Sequence, residues 1–435
     1  MVDAGQHVAP PDIRITRKTV AIASMGVATL ALLDGAVPQV EMIATGGRVP
    51  VSTVILKVVL FVILALALLW RTKTTRVNVF VVIWIATALY LAFDSLYFSS
   101  SLHTSFSDIA IGYNSYYAYL LICPLIATVT DQLCERRVIV FLLSVYFVCF
   151  IIGTSQFLLA KPLLYTDSAD KSFTALSLYT VDGNLRAFSL FTSGLAYGGL
   201  CCMVGALSIA LLMLSRFKKL SLALYICAAF ACYSTLTRNC YVQFVFASCA
   251  TLCLTSKKLV RWVKYSPAIF LLLSLLLAWK GISADTSTAT DSAVTSNISV
   301  LLRAAAWVYY TSMYWGASLA GKLFGLGMIQ NANATNGVTI PLDNQYLAVL
   351  MDIGLVGFVL IFWLQWKMWI RLYKRSITRP SVLTISLAGF WSTFLSVYFY
   401  NVALATFCLV FIIAILVQPD RVAGQTKRPI GLGAA

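Results

Sequence analysis

Three arginines and one carboxylate carry most of the chemistry this sequence offers. Arg238 sits in STLTRNCYVQF at the middle of a long apolar run, Arg186 lies in DGNLRAFSLF just before another, and Arg303 begins an amphipathic stretch, RAAAWVYYTSMYW. A guanidinium grips phosphate oxygens through a bidentate fork, so three of them near helix ends suit a pyrophosphate. Each also has a plainer reading, as an arginine that snorkels to lipid headgroups or an ordinary loop charge. Asp343, in PLDNQYLAVLMDIG, precedes an apolar run that starts at Gln345. A carboxylate at the mouth of a helical bundle can act as a general base, while Asp and Asn at this position, Asn344 included, are equally favoured helix N-caps. Asp352 lies nine residues further on, about 13 Å deeper along a helix. An acid inside a membrane is a functional candidate unless it pairs with a buried Arg or amide. Lys280 and Lys322 add further cations. Arg186, Asn344, Tyr346 and Lys322 form the substrate-binding set expected around Asp343, Arg238 and Arg303.

Other chemistries have little to build with. The only two histidines are His7 and His103, so a His-ligated metal or a Ser-His-Asp triad is not expected. No metal and no cofactor is expected. The 11 cysteines lie in or beside apolar segments, where a thiol behaves as a small hydrophobe and a disulfide framework is improbable.

The elements that must position these residues are membrane helices. Of the 435 residues, 60% are hydrophobic and only 11% charged, with mean hydropathy +0.86, whereas a soluble chain needs roughly 25% charged residues to cover its surface. The net charge of +16 is spread in short runs between apolar segments. That pattern excludes a nucleic-acid binder with a single basic face and fits basic cytoplasmic loops. Spans of about 20 residues are predicted at 19–35, 51–70, 77–93, 111–130, 138–155, 188–214, 222–237, 239–255, 265–281, 346–366, 381–400 and 402–418. The runs 222–255 and 381–418 are too long for one crossing and carry basic clusters at both ends, so each crosses twice and turns near Arg238-Asn239 and Tyr400-Asn401.

Of the 32 Lys and Arg, only nine fall on the outer side in this topology: Arg48, Lys57, Lys161, Lys171, Arg186, Arg238, Lys280, Arg303 and Lys322. Eleven of the 16 acids fall there too, so both termini are expected in the cytoplasm. The apolar segment 19–35 lacks a clean small-residue cleavage site and is read as a span, not a signal peptide. The resulting organisation is a cytoplasmic tail at 1–18, spans one to nine over 19–281, an outer loop at 282–345, spans ten to twelve over 346–418, and a cytoplasmic tail at 419–435. A loop as long as 282–345 is uncommon unless it carries function.

Asp343-Asn344, nine residues, Gly354, two residues and Gly357 resembles the motif of bacterial O-antigen ligases and the related Wzy-type polysaccharide polymerases. Arg303-x3-Trp307 and LFGLG at 323–327 resemble the approach to that motif. STLTRN resembles a Thr-x-Ser-Arg segment at an outer helix end, with Thr237 at the Ser position, and NLRAFSLFTSGLAYGG resembles an Arg-containing segment before a central span. Residue-level similarity covers about 184–199, 234–245 and 300–360. In the ligases the motif opens with His, and here Asp343 stands in its place, which favours a polymerase over a ligase.

The resemblance implies an all-α, GT-C-like polytopic membrane glycosyltransferase with about 12 spans and a large periplasmic loop between the ninth and tenth. It implies metal-independent, inverting transfer between undecaprenyl-pyrophosphate-linked glycans at the periplasmic face of the bacterial inner membrane. A chain-length regulator and a flippase of the same pathway are the expected partners, and no nucleic acid is. The alternatives are an O-antigen ligase that transfers polysaccharide to lipid A core, and a lipid-linked oligosaccharide flippase or other transporter. A transporter would line many spans with charge. Here 51–70, 77–93, 138–155 and 381–418 are nearly charge-free inside, and no internal repeat is found.

Overall fold

The computed structural model describes residues 135–160, 180–181, 184–191, 194–215, 217–285 (side chains to 276), 306–327 and 344–395, together with 86, 87, 89, 90, 93, 94, 97 and 412. The predicted spans 19–35, 51–70 and 111–130 lie outside the described residues, as do both tails, the Tyr400-Asn401 turn and nearly all of 402–418.

The described chain is helical apart from one two-stranded ribbon. Helix α1 spans Glu135–Leu159. Strands β1 (Thr180–Val181) and β2 (Asn184–Leu185) pair antiparallel, Thr180 opposite Leu185. There follow α2 (Gly194–Leu214), α3 (Lys218–Ser234), α4 (Arg238–Thr255), the single turn α5 (Val260–Val263) and α6 (Ser266–Asp285). After these come α7 (306–316), α8 (Leu319–Phe324), α9 (Gln345–Thr378) and α10 (Val382–Trp391). Among the described residues α1, α2 and α9 are long and apolar enough to cross a membrane, and α6 and α10 contribute shorter apolar stretches. This is a helical membrane protein.

Helix α2 is the axis of the bundle. Nearly its whole length is buried, from Gly194 to Ala210, because its small residues admit neighbours on several sides. A Cβ on Gly198 would come 2.8 Å from the Cβ of Cys240 on α4, and one on Gly205 would come 2.5 Å from the Phe244 ring. Small residues at such spacing let membrane helices approach closely, and van der Waals packing then holds them where no hydrophobic drive exists between lipid-like surfaces. By contrast α1, at the edge, exposes Val140, Phe147 and Ile151 on one side and buries Val138, Leu142, Tyr146 and Cys149 on the other.

Two boundaries depart from the apolar pattern. Helix α2 starts at Gly194 rather than 188, because residues 186–191 form a buried non-helical turn in which Ser189 has φ 54°. Helix α9 continues twelve residues past the predicted end at 366. A break at Gly354 divides its 34 residues, but the part after the break, 355–378, still runs about 36 Å, beyond a hydrocarbon core of about 30 Å, and no proline interrupts it before Pro380. The overhang docks on the basic segment between α4 and α6: Trp369 Nε1 donates to the Lys264 carbonyl at 3.2 Å and the Tyr373 hydroxyl donates to the Val260 carbonyl at 3.1 Å. Lys257, Lys258, Arg261, Lys264, Lys367, Arg371 and Lys374 thus gather at one end of the bundle. Arg238 lies at the other end of α4, 18 residues of helix away.

Candidate active site

The hairpin turn that carries Arg238 is three residues long. Helix α3 ends at Ser234, Thr235 is its C-cap, Leu236 adopts φ 48°, and Thr237 leads into α4. Thr235 Oγ1 donates to the Cys232 carbonyl at 2.7 Å and Thr237 Oγ1 to the Thr235 carbonyl at 2.9 Å, so hydroxyls spend themselves holding the turn. The turn predicted at Arg238-Asn239 is therefore present, one to three residues earlier. Arg238 becomes the first residue of α4 and is exposed. A cation in the first turn of a helix opposes the macrodipole by about 0.3–1 kcal/mol, and no side chain caps α4. An anion bound there would relieve both deficits.

Arg186 reaches the same place by another route. The Ala187 N–H donates to the Ser234 carbonyl at 3.0 Å, which ties the Arg186 segment to the hairpin. Its charge is felt at Cys240 and Tyr241, in the first turn of α4. Gln156 of α1, fully buried, fixes the segment from behind. Its Oε1 accepts from the N–H groups of Phe188 (3.2 Å) and Ser189 (2.7 Å), and its Nε2 donates to the Ser189 carbonyl at 3.3 Å. Ser189 Oγ completes the anchor by donating to the Cys149 carbonyl at 2.8 Å. The start of α2 closes the third side: a Cβ on Gly194 would sit 3.3 Å from the carbonyl oxygens of Ala187 and Thr235. Two arginines and the N-termini of two helices, α2 and α4, share one rim.

The N-terminus of α9 lies at the same end of the bundle. The Tyr346 hydroxyl donates to the Leu395 carbonyl at 2.7 Å, just past α10, and Thr393 accepts from Gln243 Nε2 of α4 at 3.0 Å. Gln243 is five residues, about 7.5 Å of helix, from Arg238. The cap of α9 is Asn344, whose Oδ1 accepts from the N–H groups of Tyr346 (3.1 Å) and Leu347 (3.3 Å). Asn344 and Tyr346, expected to bind substrate, are thus both engaged in building the mouth of α9. Asp343 and Arg303 lie outside the described residues.

The loop motif LFGLG meets the Gly354 motif directly. Gly354 breaks α9 with φ 66° and ψ −173°, a conformation that only glycine adopts readily. Into the break comes Gly325, φ 96°, and the Leu326 N–H donates to the Met351 carbonyl at 2.7 Å. A Cβ on Gly325 would lie 2.7 Å from the carbonyl carbon of Asp352, and one on Gly354 would lie 2.5 Å from the carbonyl of Leu323. The Tyr314 hydroxyl donates to the Lys322 carbonyl at 2.9 Å, and Lys322 Nζ sits over the Trp315 ring at 5.8 Å from its centroid. Lys322 therefore belongs to this docked loop.

Asp352 is 3% exposed and its Oδ1 has no hydrogen-bond partner; Asp94, 4% exposed, likewise has an unpartnered Oδ2. Asp94, Gln156 and Gln243 escaped the sequence reading, although a polar side chain inside or beside an apolar run was the available signal.

Residues 222–362 match the family model described as O-antigen ligase. Over this stretch, about a third of the chain, the sequence is similar to the O-antigen ligase family, which supports the resemblance to the O-antigen ligase/Wzy superfamily. The match runs from α3 through the first half of α9. It therefore takes in the Arg238 hairpin, the docked loop and the Asn344 cap, and leaves Arg186 and its Gln156 anchor outside. A search of curated proteins finds no match to the chain.

Proposed function

We propose that this protein polymerises undecaprenyl-pyrophosphate-linked oligosaccharide repeat units at the periplasmic face of the bacterial inner membrane. In this reading a hydroxyl of the acceptor unit attacks the anomeric carbon of the donor from the face opposite its pyrophosphate. The new glycosidic C–O bond forms, the C–O bond to the pyrophosphate breaks, the anomeric centre inverts, and the acceptor proton passes to Asp343. Arg238, Arg186 and Arg303 hold the departing pyrophosphate, whose negative charge grows in the transition state. A free aspartate, with a pKa near 3.9, is weak as a base at neutral pH; a bound pyrophosphate beside Asp343 would make its carboxylate more basic.

The observation that supports this reading is the convergence of the Arg186 turn and the Arg238 hairpin on two helix N-termini, through the Ala187–Ser234 hydrogen bond. Paired cations at such a rim suit a diphosphate. The N-cap of α9 is supplied by Asn344, so capping does not need the Asp343 carboxylate. The second reading is an O-antigen ligase, which the description of the matched family favours; the replacement of the ligase His by Asp343 favours the polymerase. Deleting the gene and resolving surface glycans on a gel separates them. Accumulated single repeat units are expected, whereas full-length chains that fail to reach lipid A core would establish the ligase.

A further inference from the structure

The outer loop presents a second face that the proposed reaction does not use. Helix α7 packs on α9 through Ala306, Tyr310 and Tyr314, spaced four residues apart, against Met351. Its opposite side exposes Val308 (71%) and Trp315 (67%), and the adjoining α8 exposes Leu319 (72%) and Phe324. An apolar strip of this kind is anomalous in water. Its level along α9 explains it. Met351 lies six residues, about 9 Å, below the start of the helix, and just past the break at Gly354 the chain exposes Leu355 and Val359, as a lipid-facing span does. The strip is continuous in depth with that surface. Its composition is also that of an interface, with Tyr309 and Trp315 exposed and Lys322 over the Trp315 ring, since aromatic rings and basic side chains favour the headgroup level. On this side Ser312 has its hydroxyl already donated to the Tyr309 carbonyl at 2.7 Å, so lipid around it strands no donor.

We propose that the Val308–Trp315–Leu319–Phe324 face of α7 and α8 lies in the lipid headgroup–acyl boundary, in the leaflet that holds the N-terminus of α9, and so anchors the loop at the level of the membrane. The proposal rests on the membrane character of the chain and on the docking of α7, and it stands whether the reaction is polymerisation or ligation. The test uses the full chain in nanodiscs of phosphatidylcholine and phosphatidylglycerol, with bromine carried on the upper acyl chain, and aqueous iodide as the opposing quencher. The fluorescence lost on Trp315→Phe isolates the Trp315 emission. Brominated lipid should remove roughly half or more of it while iodide leaves it nearly unchanged, and Val308→Trp placed in the Trp315→Phe background should restore a lipid-quenched signal. Quenching by iodide and not by brominated lipid would overturn the proposal in favour of a water-facing surface. Indifference to both quenchers would overturn it in favour of a protein partner.

Discussion

At the scale of single residues, charge and capping separate cleanly. Arg238 stands exposed at a helix start that disfavours a cation, an arrangement that a bound anion would relieve. Arg238→Ala should cost about 2–4 kcal/mol of transition-state stabilisation, a rate loss of roughly 10²–10³, with no change in expression; chain-length analysis of surface polymer measures it. Asn344 and Asp343 are told apart by matched substitutions. Asn344→Ala removes the acceptor for two N–H groups and should lower stability by about 0.5–2 kcal/mol, read as a fall in the melting temperature of the purified protein. Asp343→Asn keeps the side chain's size and removes its basicity. It should abolish turnover while leaving melting unchanged, and an active Asp343→Asn protein would remove Asp343 from the mechanism.

At the scale of elements, the site is held by backbone junctions more than by side-chain pairs. The Gly325–Gly354 contact leaves no room for a Cβ on either side, and both residues have positive φ. Gly325→Ala or Gly354→Ala should therefore undock α7 and α8, measured as faster limited proteolysis within 306–327. Gln156 plays the corresponding part for the Arg186 turn. Gln156→Leu leaves two buried N–H groups without an acceptor, at about 1–3 kcal/mol each, and should depress activity through a residue that touches no substrate. These junctions mark the limit of what the chain discloses as text. The STLTRN hairpin was legible because basic clusters flank an apolar run too long for one crossing, and the amphipathic register of 306–316 was legible from its period. The turn at 186–191 was not, since AFSLF reads as the opening of a span, and only the non-local clamp by Gln156, 33 residues from Ser189, overrides that. The overhang of α9 was hidden for the opposite reason: WKMWIRLYKR is too basic for lipid, yet it is good helix and finds Lys264 and Val260 to bond.

At the scale of the whole molecule, the described bundle is polarised. One end carries the basic residues of the α4–α6 connection and the α9 overhang, and the other carries Arg186, Arg238 and the N-terminus of α9. The positive-inside rule predicts that the first end faces the cytoplasm. A cysteine introduced at Lys257 in a background lacking reactive thiols should resist an impermeant maleimide in intact cells, and one introduced at Leu236 should react. The account depends most on a diphosphate-gripping rim that drives glycosyl transfer without help from other proteins. The purified full chain, reconstituted with lipid-linked repeat units, tests this directly when polymer and released undecaprenyl pyrophosphate are followed together. Wild-type protein is predicted to make a ladder of polymer with one carrier pyrophosphate freed per bond, and Arg238→Ala protein to slow both by roughly 10²–10³. A ladder built at the wild-type rate by Arg238→Ala protein would contradict the account.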